Sequence, residues 1–154
     1  MKKQTQAIHT QFQRRDAYNS ISMPVYHTAA YEFDNADDMA DAFCGRTDAP
    51  DYSRVMNPTV TFFENKVKEL TGAAEVIALN SGMAAISNTL FSIAAAGKNI
   101  VTSRHLFGNT YSFIAGTLSR FGVEPRLCDL TDIGAVEKVV DSNTCCIYVE
   151  IITN

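Results

Sequence analysis

From Thr59 onward the chain alternates between two hydrophobic periods, and this alternation restricts the fold more than any other feature. "TVTFFENKVKELTG" sets Phe62, Phe63, Val67 and Leu70 on a helix and places Gly72 just past its end. A buried strand is expected over 76–80, and a helix over 83–96 that Gly97 ends. Strands are expected over 99–103, 123–129 and 145–151, with helices over 110–121 and 132–141 between them. Strands separated by helices of this length form a mostly parallel sheet with helices on both faces. The expected class is therefore α/β, with right-handed crossovers.

Residues 1–58 read differently. They are polar, hold three of the four prolines and show little sustained period. "DNADDMADAFCG" predicts one short helix closed by Gly45, flanked by extended, turn-rich segments. A long irregular stretch of this kind usually binds something or wraps a partner. The expected organisation is an N-terminal arm over 1–58 and an α/β domain over 59–154. Since the last expected strand has no covering helix after it, the sequence reads as part of a larger domain.

Composition closes off several classes of function. A net charge of -4 lacks the basic balance of a nucleic-acid binder. No apolar run is as long as a membrane span, and "MKKQTQAIHTQFQRRD" has no apolar core of the secretory kind. Cys44, Cys128, Cys145 and Cys146 match no zinc spacing, and the adjacent pair lies in an apolar strand. A reducing, cytoplasmic setting is expected.

Four stretches carry candidate chemistry. In "ALNSGMAAI" the chain leaves a strand and starts a helix at Ser81-Gly82-Met83. Free N–H groups and the dipole at a helix start suit a phosphate, and Ser81 can cap the helix or bind the same anion. A plain capped helix gives the same local pattern, and neither G-x-G-x-x-G nor a Walker loop is present. In "YSRVMNPT", Tyr52 and Arg54 are two apart and share a face if the chain is extended. Phenol and guanidinium can then both donate to a phosphate, although a solvated loop arginine fits the pattern as well. In "SRHLFGNTYSF" the chain leaves a strand end, where α/β sheets place ligands. Phe107 there is a candidate ring at the mouth of the sheet or a core residue, and His105 a base or a surface residue. In "YVEIITN", Glu150 and Asn154 lie at another strand end, in a site or facing solvent.

In order and spacing, these stretches together resemble the pyridoxal-phosphate enzymes of cysteine and methionine metabolism, the trans-sulfuration family. "HLFGNTYSF" and "TQAIHTQF" are most similar to its O-acetylhomoserine sulfhydrylase branch. Methionine γ-lyase and cystathionine γ-synthase or lyase are the alternatives within the family. The resemblance implies an incomplete fold type I transferase domain with pyridoxal 5′-phosphate as cofactor. It implies that Ser81, Gly82 and Met83 bind the cofactor phosphate, and that Tyr52 and Arg54 reach the same phosphate from a neighbouring subunit of a homo-oligomer. Phe107 falls where the family stacks an aromatic ring, usually tyrosine, on the cofactor. Asn154 matches an asparagine near the cofactor's phenolic oxygen, and Glu150 the acidic residue of the same E-x-x-x-N motif. The family's Schiff-base lysine and its pyridine-pairing aspartate lie downstream of that motif, and no lysine here, the last being Lys138, sits in a matching one. The implied substrate is a small amino acid, and the implied reaction is γ-replacement of acetate on O-acetylhomoserine by sulfide or a thiol. The chain alone is expected to be inactive. A non-catalytic association fragment and a bare phosphate-binding α/β domain are the readings from other classes.

Overall fold

A computed structural model of the protein describes residues 2–9 and 18–152. The chain divides into two compact units, Met1–Ala78 and Leu79–Asn154.

The first unit contains three helices, α1 (Lys3–Ile8), α2 (Ala36–Phe43) and α3 (Pro58–Thr71). Local chemistry accounts for two of them. Asn35 caps α2 by accepting from the Asp38 N–H, and Gly45 turns the chain beyond it at φ 64°. Asn57 caps α3 through the Thr59 N–H, Pro58 takes the first helical position, and Gly72 ends the helix left-handed at φ 74°. The sequence does not predict α1. It has no side-chain cap and forms because it packs against α3, with Gln6 Nε2 donating to the Glu69 carbonyl at 3.1 Å. Compactness thus divides the chain after Ala78, while composition changes at residue 58.

The expected strand over 76–80 is not formed. The segment joins no ladder, and Ile77 is 80% exposed. A strand needs a neighbour for its backbone groups. Here the Ala78 N–H is taken instead by the Glu64 carboxylate at 2.7 Å.

The second unit is built on a parallel sheet of β1 (Asn99–Thr102), β2 (Glu124–Leu127) and β3 (Thr144–Ile147), in the order β2-β1-β3. Asn99 aligns with Glu124 and Thr102 with Leu127. On the other side Ile100 aligns with Cys146 and Val101 with Ile147, after a register shift between Asn99 and Ile100. All four residues of β1 are buried, so the central strand is covered on both faces, as parallel sheets require.

The helices of this unit are α4 (Gly82–Ile93), α5 (Gly108–Ser112) running directly into a π-helical segment (Phe113–Leu118), and α6 (Ile133–Val139). Leu90, Ile100, Leu106, Ile114, Leu118 and Val123 form the core, with both Cys145 and Cys146 packed against it. Helix α4 ends at Ile93, short of Gly97: Ala94 is already extended, and Gly97, at φ 83°, turns a loop whose N–H bonds the Gly122 carbonyl. Strand β3 is also shorter than expected. The Tyr148 N–H adds one more bond to the Val101 carbonyl, and the chain then leaves the ladder.

Buried polar groups in the sheet are paired. Asn99 donates to Asp141 at 2.9 Å and accepts from Thr144 at 2.7 Å, and Thr102 donates to the Tyr148 carbonyl at 2.8 Å. No helix among the described residues is long and apolar enough to cross a membrane.

Candidate functional site

The strand order carries the first argument. The chain leaves β1 for β2 on one side and reaches β3 on the other. In open parallel sheets a crevice opens at such a reversal, outside the carboxyl ends of the two strands that flank it. Here it lies beyond β1 and β3, where the segments holding Phe107 and Glu150 run.

Those segments meet. The Phe107 N–H donates to Glu150 Oε2 at 2.7 Å, and the Tyr148 hydroxyl donates to Glu150 Oε1 at 3.3 Å. The Phe107 carbonyl accepts from the Tyr111 N–H at 3.0 Å, so this residue is the gate into α5. Phe107 is 46% exposed. Burial first, and the Glu150 carboxylate second, hold the Tyr148 phenol above its ordinary pKa. The phenol therefore stays protonated and able to donate.

The start of α4 belongs to the same face of this unit. Thr110 is fully buried in α5, and its hydroxyl lies 3.9 Å from Met83 Sδ. Ser81 is the N-cap, and its Oγ accepts from the Ala84 N–H at 3.0 Å. The Ala85 N–H makes the first helical bond, to the Ser81 carbonyl at 3.0 Å. Two amides remain, those of Gly82 and Met83, with no acceptor among the described residues. A Cβ added at Gly82 would meet nothing within 4 Å, so there is open space at the helix start. Two unpaired donors at the positive end of a helix, facing free space, have the donor chemistry a phosphate requires.

Tyr52 and Arg54 lie in the first unit. The chain is not extended there. Val55 and Met56 both donate to the Tyr52 carbonyl, at 2.8 and 2.9 Å, which closes a turn. The expected shared face of a strand is replaced by a fold-back that sets the Arg54 guanidinium 4.9 Å from the Tyr52 ring centroid. Both side chains are exposed, and among the described residues no carboxylate pairs with Arg54.

Ser53 and Asn57, which the sequence reading passed over, hold this turn. Ser53 N–H donates to the Ala29 carbonyl at 2.9 Å, its hydroxyl to the Thr28 carbonyl, and Ala30 bridges Tyr52. The buried Asn57 amide donates to the Tyr26 carbonyl at 3.0 Å, the Ser53 hydroxyl at 2.9 Å and the Tyr31 hydroxyl at 3.3 Å. The signal available was "MNPT", an asparagine before a proline at a helix start.

The other candidates resolve simply. His105 is exposed, in an open cleft with Ser103, Arg104, Cys128 and Asp129. Asn154 lies outside the described residues. No cluster of metal-binding side chains occurs among the described residues.

The second unit is a parallel α/β fold with an open helix start on the side of its switch point, and the first unit, taken by itself, carries an exposed Tyr–Arg pair; the protein is of the α/β class. The sequence signature of the Cys/Met metabolism PLP-dependent enzymes matches residues 4–154, and the chain belongs to that family. It is 36% identical over 136 residues to L-methionine gamma-lyase of Fusobacterium nucleatum subsp. nucleatum, covering 88% of this chain and 34% of that protein. It is 34% identical over 151 residues to homocysteine synthase of Schizosaccharomyces pombe, covering 98% of this chain and 35% of that protein. Among solved structures, an O-acetylhomoserine (thiol)-lyase of Campylobacter jejuni superposes with a TM-score of 0.91 at 36% identity, covering 100% of this chain and 38% of that one. That structure contains N′-pyridoxyl-lysine-5′-monophosphate. The chain spans about a third of the length of the curated relatives it matches.

Proposed function

We propose that this chain forms the phosphate end and one ring face of a pyridoxal 5′-phosphate site, in an enzyme that displaces acetate from the γ-carbon of O-acetylhomoserine with sulfide or a thiol. The observation that carries the reading is the pair of unpaired amides at Gly82 and Met83, next to the switch point, in a chain of this family. When bound, the cofactor supplies an electron sink for negative charge developing on the amino-acid substrate. The chain's own residues bind and orient it. Gly82 and Met83 donate N–H groups to the phosphate, and Ser81, its lone pair committed to the Ala84 N–H, has its hydroxyl proton left to give. Phe107 covers one face of the ring and keeps water off it. Lacking a hydroxyl, it passes no proton.

Tyr52 and Arg54 serve the phosphate of a neighbouring subunit, so residues 1–58 act as an arm, 59–154 contribute the cofactor domain, and the assembly is a homo-oligomer built on dimers, acting in the cytoplasm. Their exposure and the absence of an ion-pair partner among the described residues support this. A second reading, methionine γ-lyase, is supported by the identity to lyases of that name.

The test uses the complete polypeptide carrying this sequence. With O-acetylhomoserine and sulfide it should form homocysteine, and residues 1–154 alone should form none. Methanethiol released from methionine would support the second reading, and neither product would refute both. Arg54→Ala should weaken cofactor binding by roughly 1.5–3 kcal/mol, against under about 1 for the exposed Arg120→Ala. Equal losses would remove Arg54 from the site.

A further inference from the structure

We infer that Glu150 is a positioning residue that acts through Phe107: its carboxylate holds the Phe107 amide and thereby aims the ring at the mouth of the sheet. This rests on the reading above, in which that ring covers the cofactor.

The geometry is specific. Glu150 is half-buried, and both of its oxygens are committed inside the chain, Oε2 to the Phe107 N–H at 2.7 Å and Oε1 to the Tyr148 hydroxyl at 3.3 Å. Each oxygen keeps a second lone pair, but the negative charge of the carboxylate is ill suited to a phosphate site. What it fixes is a backbone. Phe107 precedes α5, has an extended conformation (φ -52°, ψ 134°) and no side-chain cap. Its ring has no aromatic neighbour among the described residues. The direction of the ring therefore depends on the backbone at Phe107, and that backbone is tied on one side to Tyr111 through its carbonyl and on the other to Glu150 through its N–H. Because Glu150 follows β3 while Phe107 follows β1, the bond crosses the switch point and ties together the two strand ends that flank it.

The pairing also defines a conservative variant. A glutamine at 150 offers Oε1 to the Phe107 N–H and Nε2 to the Tyr148 hydroxyl oxygen, which can accept. An alanine offers neither.

The experiment compares Glu150→Gln, Glu150→Ala, Phe107→Ala and the double alanine variant of the complete polypeptide, free of cofactor. Hydrogen exchange at the Phe107 amide is read first. Loss of a bond to a charged acceptor should speed it about tenfold or more in Glu150→Ala, with Glu150→Gln retaining protection and the core amide of Ile114 unchanged in both. Unchanged protection in Glu150→Ala would overturn the proposal, and so would equal acceleration at Ile114, which would mean general unfolding.

Binding of pyridoxine 5′-phosphate, which has no aldehyde to bond a lysine, is read second. Glu150→Ala and Phe107→Ala should weaken it by similar factors, the double variant should be no weaker than Phe107→Ala, and Glu150→Gln should bind like the parent. Additive losses would mean that Glu150 acts on the ligand independently of Phe107, which overturns the proposal. If Phe107→Ala binds like the parent, ring coverage fails as a reading, whereas the exchange result reports on the Glu150 tie by itself.

Discussion

Proline at position 82 would delete one N–H and disturb little else. Gly82 is the first residue of α4, the helical position where proline is most at home because that N–H has no helical partner. Proline also demands an extended residue before it, and Ser81 is extended, at φ -160° and ψ 160°. A Cβ at 82 meets nothing within 4 Å. Replacing glycine by a residue with fewer unfolded conformations adds roughly 0.4–1 kcal/mol of stability where the backbone permits it. The cofactor-free Gly82→Pro protein should therefore melt at the same temperature as the parent or slightly above it.

Its affinity for a phosphorylated ligand should move the other way. A hydrogen bond to a charged acceptor is worth about 1.5–3 kcal/mol, and about 1.4 kcal/mol is a factor of ten in Kd, so binding should weaken by roughly 10- to 150-fold. Ile133→Pro is the control. It puts proline at the first position of α6 behind an extended, capping Asp132, a helix start the proposal does not use, and should leave binding unchanged. The assay is equilibrium dialysis of pyridoxine 5′-phosphate against the complete polypeptide, with a thermal melt of each variant. Unchanged affinity in a well-folded Gly82→Pro protein would refute the role of this amide. A collapse in melting temperature would refute the assignment of Gly82 to the first helical position.

Asn57 separates capping from cross-bracing: Asn57→Asp keeps the oxygen that caps α3 but loses the three donated bonds, while Asn57→Ala loses both. Denaturant unfolding should rank parent, aspartate, alanine, with a loss of about 1–3 kcal/mol for alanine, and equal losses for the two variants would assign the whole effect to the donated bonds. Asp141 is held down to about 2 by the Arg126 guanidinium first, then the Asn99 amide and the Asn143 N–H. A pKa lowered on folding stabilises above the unfolded value and is lost as pH falls through the folded one. The stability difference between the parent and Asp141→Asn should accordingly be full above about pH 4 and fade toward about pH 2. A difference independent of pH would show that the ionised carboxylate contributes nothing.

Local chemistry was legible wherever a helix end is made by neighbours in sequence. Ser81, Gly45 and Gly72 act within a few residues, so the start of α4 and the turns after α2 and α3 were read from the chain, whereas Asn35 and Asn57 cap α2 and α3 just as locally but were passed over. The α/β class was legible too, because short strand stretches alternate with helical ones along the chain from residue 99 onward. Ser81, Gly82 and Met83 were legible as a possible anion site for the same reason: an unpaired helix start is a property of a few consecutive residues.

What tertiary structure decided is whatever depends on distant partners. Residues 76–80 have the composition of a strand, but a strand exists only beside another, and the ladder that forms is β2-β1-β3. Helix α1 has no local signal and forms by packing on α3. Tyr52 and Arg54 meet through a turn braced by Ala29, Tyr26 and Tyr31, more than twenty residues away in sequence. Glu150 shows the distinction most clearly. Its carboxylate was visible as a polar group at a strand end in need of a partner, but that partner is a backbone N–H 43 positions earlier. Sequence spacing does not specify such a pairing, because it exists only once two parallel strands have placed their ends side by side.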